Sequence, residues 1–233
     1  MALGRVILFN MQNVFCFFDG QSLFKQAEDC FGYKKPDYDP LKLAELIVEL
    51  EPNRVLKCLR FYTGIHKASI NPSLHTFWNN KLSILKKIVK AKLGDNGIFI
   101  FTRELKYNDE EVFDKKTKQV KIIKKGREKG INVRLALDMV EFARKNEYDV
   151  AIIFSQDGDL EEAVKDVNDI ASEQGRIIKI ECAFPFSMIP IAPNTYLRGI
   201  PNTKWIKIEK GIYDLCIDQN TDKYWPQKPL FNI

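Results

Sequence analysis

The chain repeatedly sets a short, wholly apolar run against a longer segment with apolar residues at helical spacing, and that alternation leaves few folds open. Val14–Phe18 is apolar and rich in aromatics, the mark of a strand buried on both faces. Asp19-Gly20 closes it. Pro40 then precedes Leu41, Leu43, Ala44, Leu46, Ile47 and Leu50 at helical spacing, and Arg54–Tyr62 is the next strand candidate. Asn71-Pro72-Ser73 opens a helix whose Leu74, Phe77, Trp78, Leu82, Leu85, Ile88 and Val89 trace one apolar stripe. Ile98–Phe101 reads as a third strand. Residues 106–130 carry many charges and few large apolar side chains, with Val120–Ile123 the one strand-like piece, so an irregular loop or hairpin is expected. Asn132 is predicted to cap a helix reaching about Arg144. Asp149–Phe154, a helix over Glu161–Ser172, a strand at Arg176–Ile180 and another at Trp205–Ile208 complete the pattern. Strands alternating with helices predict an α/β fold, a three-layer α/β/α sandwich on a mostly parallel central sheet.

Composition removes several other classes. With 45% apolar and 29% charged residues, the 233-residue chain is not mainly disordered. No apolar run approaches the roughly 18–20 residues needed to cross a bilayer, so no membrane association is expected. Val6–Phe18 contains Asn10, Gln12 and Asn13 and lacks a cleavage site, which favours a core strand over a signal peptide. Cys16, Cys30, Cys58, Cys182 and Cys216 form no paired motif and lie away from His66 and His75, which argues for reduced thiols in a cytoplasmic protein and against zinc. Residues 1–182 are expected to form the main domain. The Pro-rich residues 183–233 form an extension packing on it or making an oligomer contact.

The chemistry concentrates at strand ends. Asp19 follows the first strand, and Asp157 and Asp159 follow the fourth. In a parallel sheet all strand C-termini share one edge, where ligands bind. Each segment alone reads better as a turn or a helix cap, but together they place three carboxylates on one rim. Such charges repel unless a cation neutralises them, and all-oxygen ligation suits Mg2+ or Mn2+. Asp138, on the helix over Val133–Arg144, is a fourth candidate; spacing alone does not decide between a metal ligand and an ion pair with Arg134.

The formal net charge of +5 is local. Lys115–Arg134 holds nine cations against Glu128 alone, leaving the rest of the chain net negative. Lys115, Lys116, Lys121, Lys124, Lys125, Arg127 and Lys129 belong to it, and Lys81, Lys86, Lys87, Lys90 and Lys92 form a second group. In isolation such a run is usually a solvated loop, but beside an acidic rim it suits a phosphodiester substrate.

Four ordered blocks carry a family resemblance. They are Phe17-Phe18-Asp19-Gly20-Gln21-Ser22-Leu23, then Phe101-Thr102-Arg103-Glu104-Leu105-Lys106-Tyr107, then Lys129-Gly130-Ile131-Asn132-Val133 with Leu135-Ala136-Leu137-Asp138-Met139, and Tyr148–Asp159. Over about residues 14–180 the chain resembles NYN-domain proteins of the LabA-like branch of the PIN-like ribonuclease superfamily. The resemblance implies a PIN-like fold and a nuclease acting mostly on RNA. It implies a Mg2+ or Mn2+ centre held by Asp19, Asp138, Asp157 and Asp159. Ser22 and the cations Lys121, Lys124, Lys125, Arg127 and Lys129 would contact nucleic acid. Four positions depart from the family pattern: Ser22 stands for Asn, Asn132 for Asp, Gln156 for Gly and Leu160 for Phe. These departures motivate the alternative of a catalytically silent binding or adaptor module. A phosphatase of haloacid-dehalogenase type fits poorly, because Gln21 occupies the place of its second aspartate. Tyr62 and Tyr107 are candidates for base stacking, though core roles suit them better.

Overall fold

The computed structural model describes residues 11–114 and 118–226. Its strands and helices follow in the order β1 (Gln12–Asp19), α1 (Gly20–Phe31), α2 (Pro40–Val48), β2 (Arg54–Ile65), α3 (Pro72–Leu93), β3 (Ile98–Glu104), β4 (Lys106–Asp114), β5 (Gln119–Arg127), α4 (Ile131–Arg144), β6 (Val150–Phe154), α5 (Glu161–Glu173), β7 (Lys179–Pro185), β8 (Lys204–Ile208), α6 (Lys210–Leu215) and α7 (Thr221–Tyr224).

Six strands form one sheet in the order β3-β2-β1-β6-β7-β8, and every adjacent pair in it is parallel. Alternation along β1 sorts the core into two layers. Val14, Cys16 and Phe18 pack with Leu23, Phe24, Leu43, Phe77 and Trp78 of α1, α2 and α3. Phe15 and Phe17 pack on the other face with Leu135, Met139, Val164 and Val167 of α4 and α5. This is the expected three-layer sandwich. The chain runs outward from β1 in one direction through β2 and β3, and from β6 in the other through β7 and β8. The order therefore reverses between β1 and β6, and the strand C-termini at such a switch point are where sheets of this kind bind ligands.

Helix starts follow local chemistry. Asp39 and Asn71 cap α2 and α3 through their side chains, each before a proline with no N–H to lose. Asn132 does not cap α4 as expected. Gly130, with a left-handed φ of 78°, precedes the helix instead and places Asn132 inside its first turn.

Of the two expectations for residues 106–130, the hairpin is found: β4 and β5 pair antiparallel along nine residues each. Two further expectations change. The fifth strand of the sheet begins at Lys179 rather than Arg176. A division after residue 182 falls inside β7, and β8 beyond it completes the same sheet. Tyr213 of α6 is fully buried, and Trp225 lies edge-on to Phe77 at 4.9 Å, so the C-terminal aromatics cover the α1–α3 layer. Among the described residues no helix is long and apolar enough to cross a membrane.

Candidate active site

Asp19 is the last residue of β1 and the cap of α1; its Oδ1 accepts from Ser22 N at 3.0 Å. It is only 3% exposed. Ser155, just past β6, bridges the two central strands. Its Oγ stands 3.3 Å from Asp19 Oδ2 and 3.3 Å from Ser22 Oγ, and accepts from Asp157 N at 3.2 Å. One hydroxyl thus ties the first-strand aspartate to the loop that carries Asp157.

Burial pushes the Asp19 carboxyl up to about 6, and the charge of Asp157 adds to the rise against hydrogen bonds from Ser22 and Ser155. Glu128, between β5 and α4, is pushed up to about 7 by burial and by the charge of Asp19. Its Oε1 accepts from the N–H of Gly64 near the end of β2. The approach needs a glycine: a Cβ at residue 64 would lie 2.7 Å from Glu128 Oε1. Among the described residues no lysine or arginine offsets the charge of either carboxylate. Sequence reasoning missed Glu128; its one signal was being the lone acid in a run of cations.

The four expected ligands do not converge. Asp138 is 1% exposed, and its Oδ2 accepts from Arg60 Nη2 at 2.6 Å and from the Tyr62 hydroxyl at 2.6 Å. Arg134 Nε lies 2.8 Å from its other oxygen. Two guanidinium groups already balance this charge, one of them buried with it. The helix also carries Asp138 away: it lies six residues beyond Asn132, about 9 Å along the axis. Burial, with Asp138 accepting its proton, raises the Tyr62 phenol above its ordinary range, so this tyrosine is core and does not stack bases.

Asp159 is also displaced. The strand ends at Phe154, and Asp157 caps a 3-10 turn over Gly158–Leu160 by accepting from Asp159 N at 3.0 Å. The i, i+2 alignment of an extended strand is lost, and Asp159 is exposed. The residue that does face Asp157 is Asn132, whose Nδ2 donates to Asp157 Oδ2. Among the described residues its own Oδ1, buried, finds no hydrogen-bond partner. The departure from aspartate at this position therefore falls inside the site.

Among the described residues no three His, Cys, Asp or Glu side chains stand close enough to hold a metal ion between them. Mg2+ does not need three: it keeps several waters and takes one or two protein carboxylates. The Asp19 and Asp157 carboxylates repel each other, and with the Ser155 hydroxyl that bonds Asp19 they supply a set of oxygen donors. That set fits a hard divalent ion.

The cationic run lies on the hairpin. Lys121, Lys124, Lys125 and Arg127 are on β5, with Lys129 following it; Lys115, Lys116 and the side chain of Lys121 lie outside the described residues. β4 opposite carries four acids and one lysine. Glu110 draws Lys125 to 3.0 Å and Arg127 to 3.7 Å, while Lys124 pairs in register with Asp109. The strand's positive surplus faces an acidic partner, which the one-dimensional count did not show. Tyr107 bonds His66 Nδ1 through its hydroxyl at 2.6 Å. In the second lysine group, Lys81 is buried against the Tyr38 carbonyl and Asp218, and Lys90 and Lys92 pair with Asp95 and Glu45.

The three-layer α/β/α arrangement on a parallel sheet, with carboxylates at its switch point, is the architecture of a PIN-like fold. The family model for the NYN domain matches residues 13–172, and the chain belongs to this family. NYN is a domain of the PIN-like nuclease superfamily, whose nucleases generally use divalent metal ions. Among solved structures, a protein of unknown function, VPA0982, from Vibrio parahaemolyticus RIMD 2210633 is similar at a TM-score of 0.50 and 13% identity. The alignment covers 86% of this chain and 95% of that one and supports the fold alone. No curated protein matches the chain.

Proposed function

We propose that this NYN domain is a metal-dependent nuclease hydrolysing phosphodiester bonds, with RNA as its substrate and Mg2+ or Mn2+ as its cofactor. The observation that carries this reading is Asp19, buried at the switch point and raised to about 6 by burial and by the charge of Asp157, with the half-buried Glu128 raised to about 7 by burial and by the charge of Asp19. Asp19 and Asp157 would hold the ion. A divalent ion there supplies charge neutralisation for the scissile phosphate and lowers the pKa of a bound water. Ser155 and Ser22 orient the Asp19 carboxylate. Glu128, with a pKa near neutrality, is suited to accept the proton of the attacking water. Lys124, Lys125, Arg127 and Lys129 would position the nucleic-acid backbone.

A second reading, a catalytically silent nucleic-acid-binding or adaptor module, draws support from Asn132. This amide occupies an acceptor of Asp157 where the resemblance expects a carboxylate. One experiment separates the two: labelled single- and double-stranded RNA and DNA incubated with Mn2+, Mg2+ or chelator. The nuclease reading expects metal-dependent cleavage of RNA by the natural chain and none by Asp157→Asn. Binding that persists in EDTA with no cleavage in Mn2+ would leave the silent module.

A further inference from the structure

Two glutamines flank the acidic rim, and both grip one stretch of chain beyond the NYN match. Gln26 lies on α1, the helix that Asp19 caps, and its Nε2 donates to the Tyr196 carbonyl at 2.7 Å and the Pro185 carbonyl at 3.3 Å. Gln156 immediately precedes Asp157. Its Nε2 donates to the same Tyr196 carbonyl at 3.1 Å and to the Arg198 carbonyl at 2.7 Å. The carbonyls at 196 and 198 are therefore held by side chains of the helix that Asp19 caps and of the loop that carries Asp157.

Leu197 packs into the apolar layer under α4 and α5. Its neighbours stay outside: Tyr196 is 57% exposed, and Arg198 is exposed as well. An aromatic ring so exposed gains little for the fold, yet its own carbonyl accepts a hydrogen bond from each glutamine, and the Arg198 carbonyl accepts one more. A backbone already held in place gives up less freedom on meeting a ligand than a mobile one does. A glycine at 156, as the resemblance expects, would have no side chain to hold this segment, so the arrangement is a property of this chain.

We infer that Tyr196 and Arg198 form a clamp for single-stranded nucleic acid beside the loop that carries Asp157. Tyr196 stacks on an unpaired base, and Arg198 holds a neighbouring phosphate. A duplex keeps its base faces stacked on each other, so the ring selects unpaired strands; every base has such a face, so the selection is by strandedness and not by sequence. The inference rests on the nuclease reading above and narrows its substrate class.

The test is fluorescence anisotropy of the full chain with labelled RNA and DNA oligonucleotides, single-stranded and annealed, in chelator so that nothing is cut. Both side chains are exposed, so truncating them leaves the core intact. Single strands of RNA, DNA or both are expected to bind tighter than duplex. Tyr196→Ala should weaken that binding roughly 5- to 100-fold, with Tyr196→Phe restoring it. Arg198→Ala should lower the slope of log affinity against log salt by about 0.7, the share of one single-strand phosphate contact. A preference for duplex, or unchanged single-strand affinity in both alanine variants, overturns the clamp. Cleavage by the natural chain, measured in parallel with Mn2+, separates the two claims. Cleavage with unchanged binding by the variants removes the clamp and leaves the nuclease. Weakened binding by the variants without any cleavage keeps the clamp and removes the nuclease, and neither binding nor cleavage removes both.

Discussion

Asn132 donates its side-chain amide to the Asp157 carboxylate across the gap between the first turn of α4 and the loop after β6. That bond satisfies an oxygen a metal would otherwise use, and it supplies no charge. Asn132→Asp is expected to set a third carboxylate against Asp157. In chelator its melting temperature should fall below that of the natural chain through like-charge repulsion, and Mn2+ should raise it further than it raises the natural chain's. Thermal melts with and without Mn2+ check both shifts; equal Mn2+ responses would mean residue 132 does not face the ion.

Asp138 and Asp157 are expected to separate cleanly in stability. Asp138→Asn leaves Arg60 buried without its partner, and removing one member of such a pair costs about 3–5 kcal/mol. Asp157 is half-buried at a repulsive rim, so Asp157→Asn should cost little and abolish cleavage. Urea denaturation of the two variants measures the contrast. Similar midpoints would assign Asp138 to the solvent-facing rim.

Stability in chelator is expected to fall as pH rises. Asp19 is raised from 3.8 to about 6 and Glu128 from 4.5 to about 7, so the folded chain holds both protons more tightly than the unfolded one does. Their contribution is complete below the unfolded values and is lost as pH climbs through the folded ones. Urea midpoints taken across this window should decline, less steeply in Asp19→Asn, and added Mn2+ should recover most at the upper end. A flat profile would mean that neither carboxyl is protonated in the folded chain.

Glu128→Gln keeps the hydrogen bond from Gly64 but loses the proton acceptor. A general base contributes typically about 10²- to 10⁴-fold, and kcat/KM for RNA cleavage at neutral pH should fall within that range. Its acidic limb, set by a group near 7, should disappear from the pH profile. An unaltered profile would restrict Glu128 to a structural role.

The sheet and its acidic edge are legible in the sequence because both rest on local signals. Runs such as Val14–Phe18 and Ile152–Phe154 are apolar at every position, and a strand buried on both faces needs that pattern. Asp19 and Asp157 follow such runs directly, so parallel topology alone brings them to one rim. For Asp138 the i, i+4 pair with Arg134 was legible, but its buried partner Arg60 lies 78 residues away inside a strand and was not. β4 was hidden for a different reason: it carries four acids and pairs only with β5, so no apolar alternation marks it. The glutamine grip on Tyr196 joins side chains to carbonyls across 40 and 170 residues, which no local pattern records.

Calorimetric titration of Mn2+ into the natural chain, Asp19→Asn and Asp157→Asn tests the claimed ion between those two carboxylates most directly. One Mn2+ is expected to bind the natural chain, and each substitution should weaken it severalfold or abolish it. Mn2+ affinity equal in all three proteins would contradict a metal centre between β1 and β6.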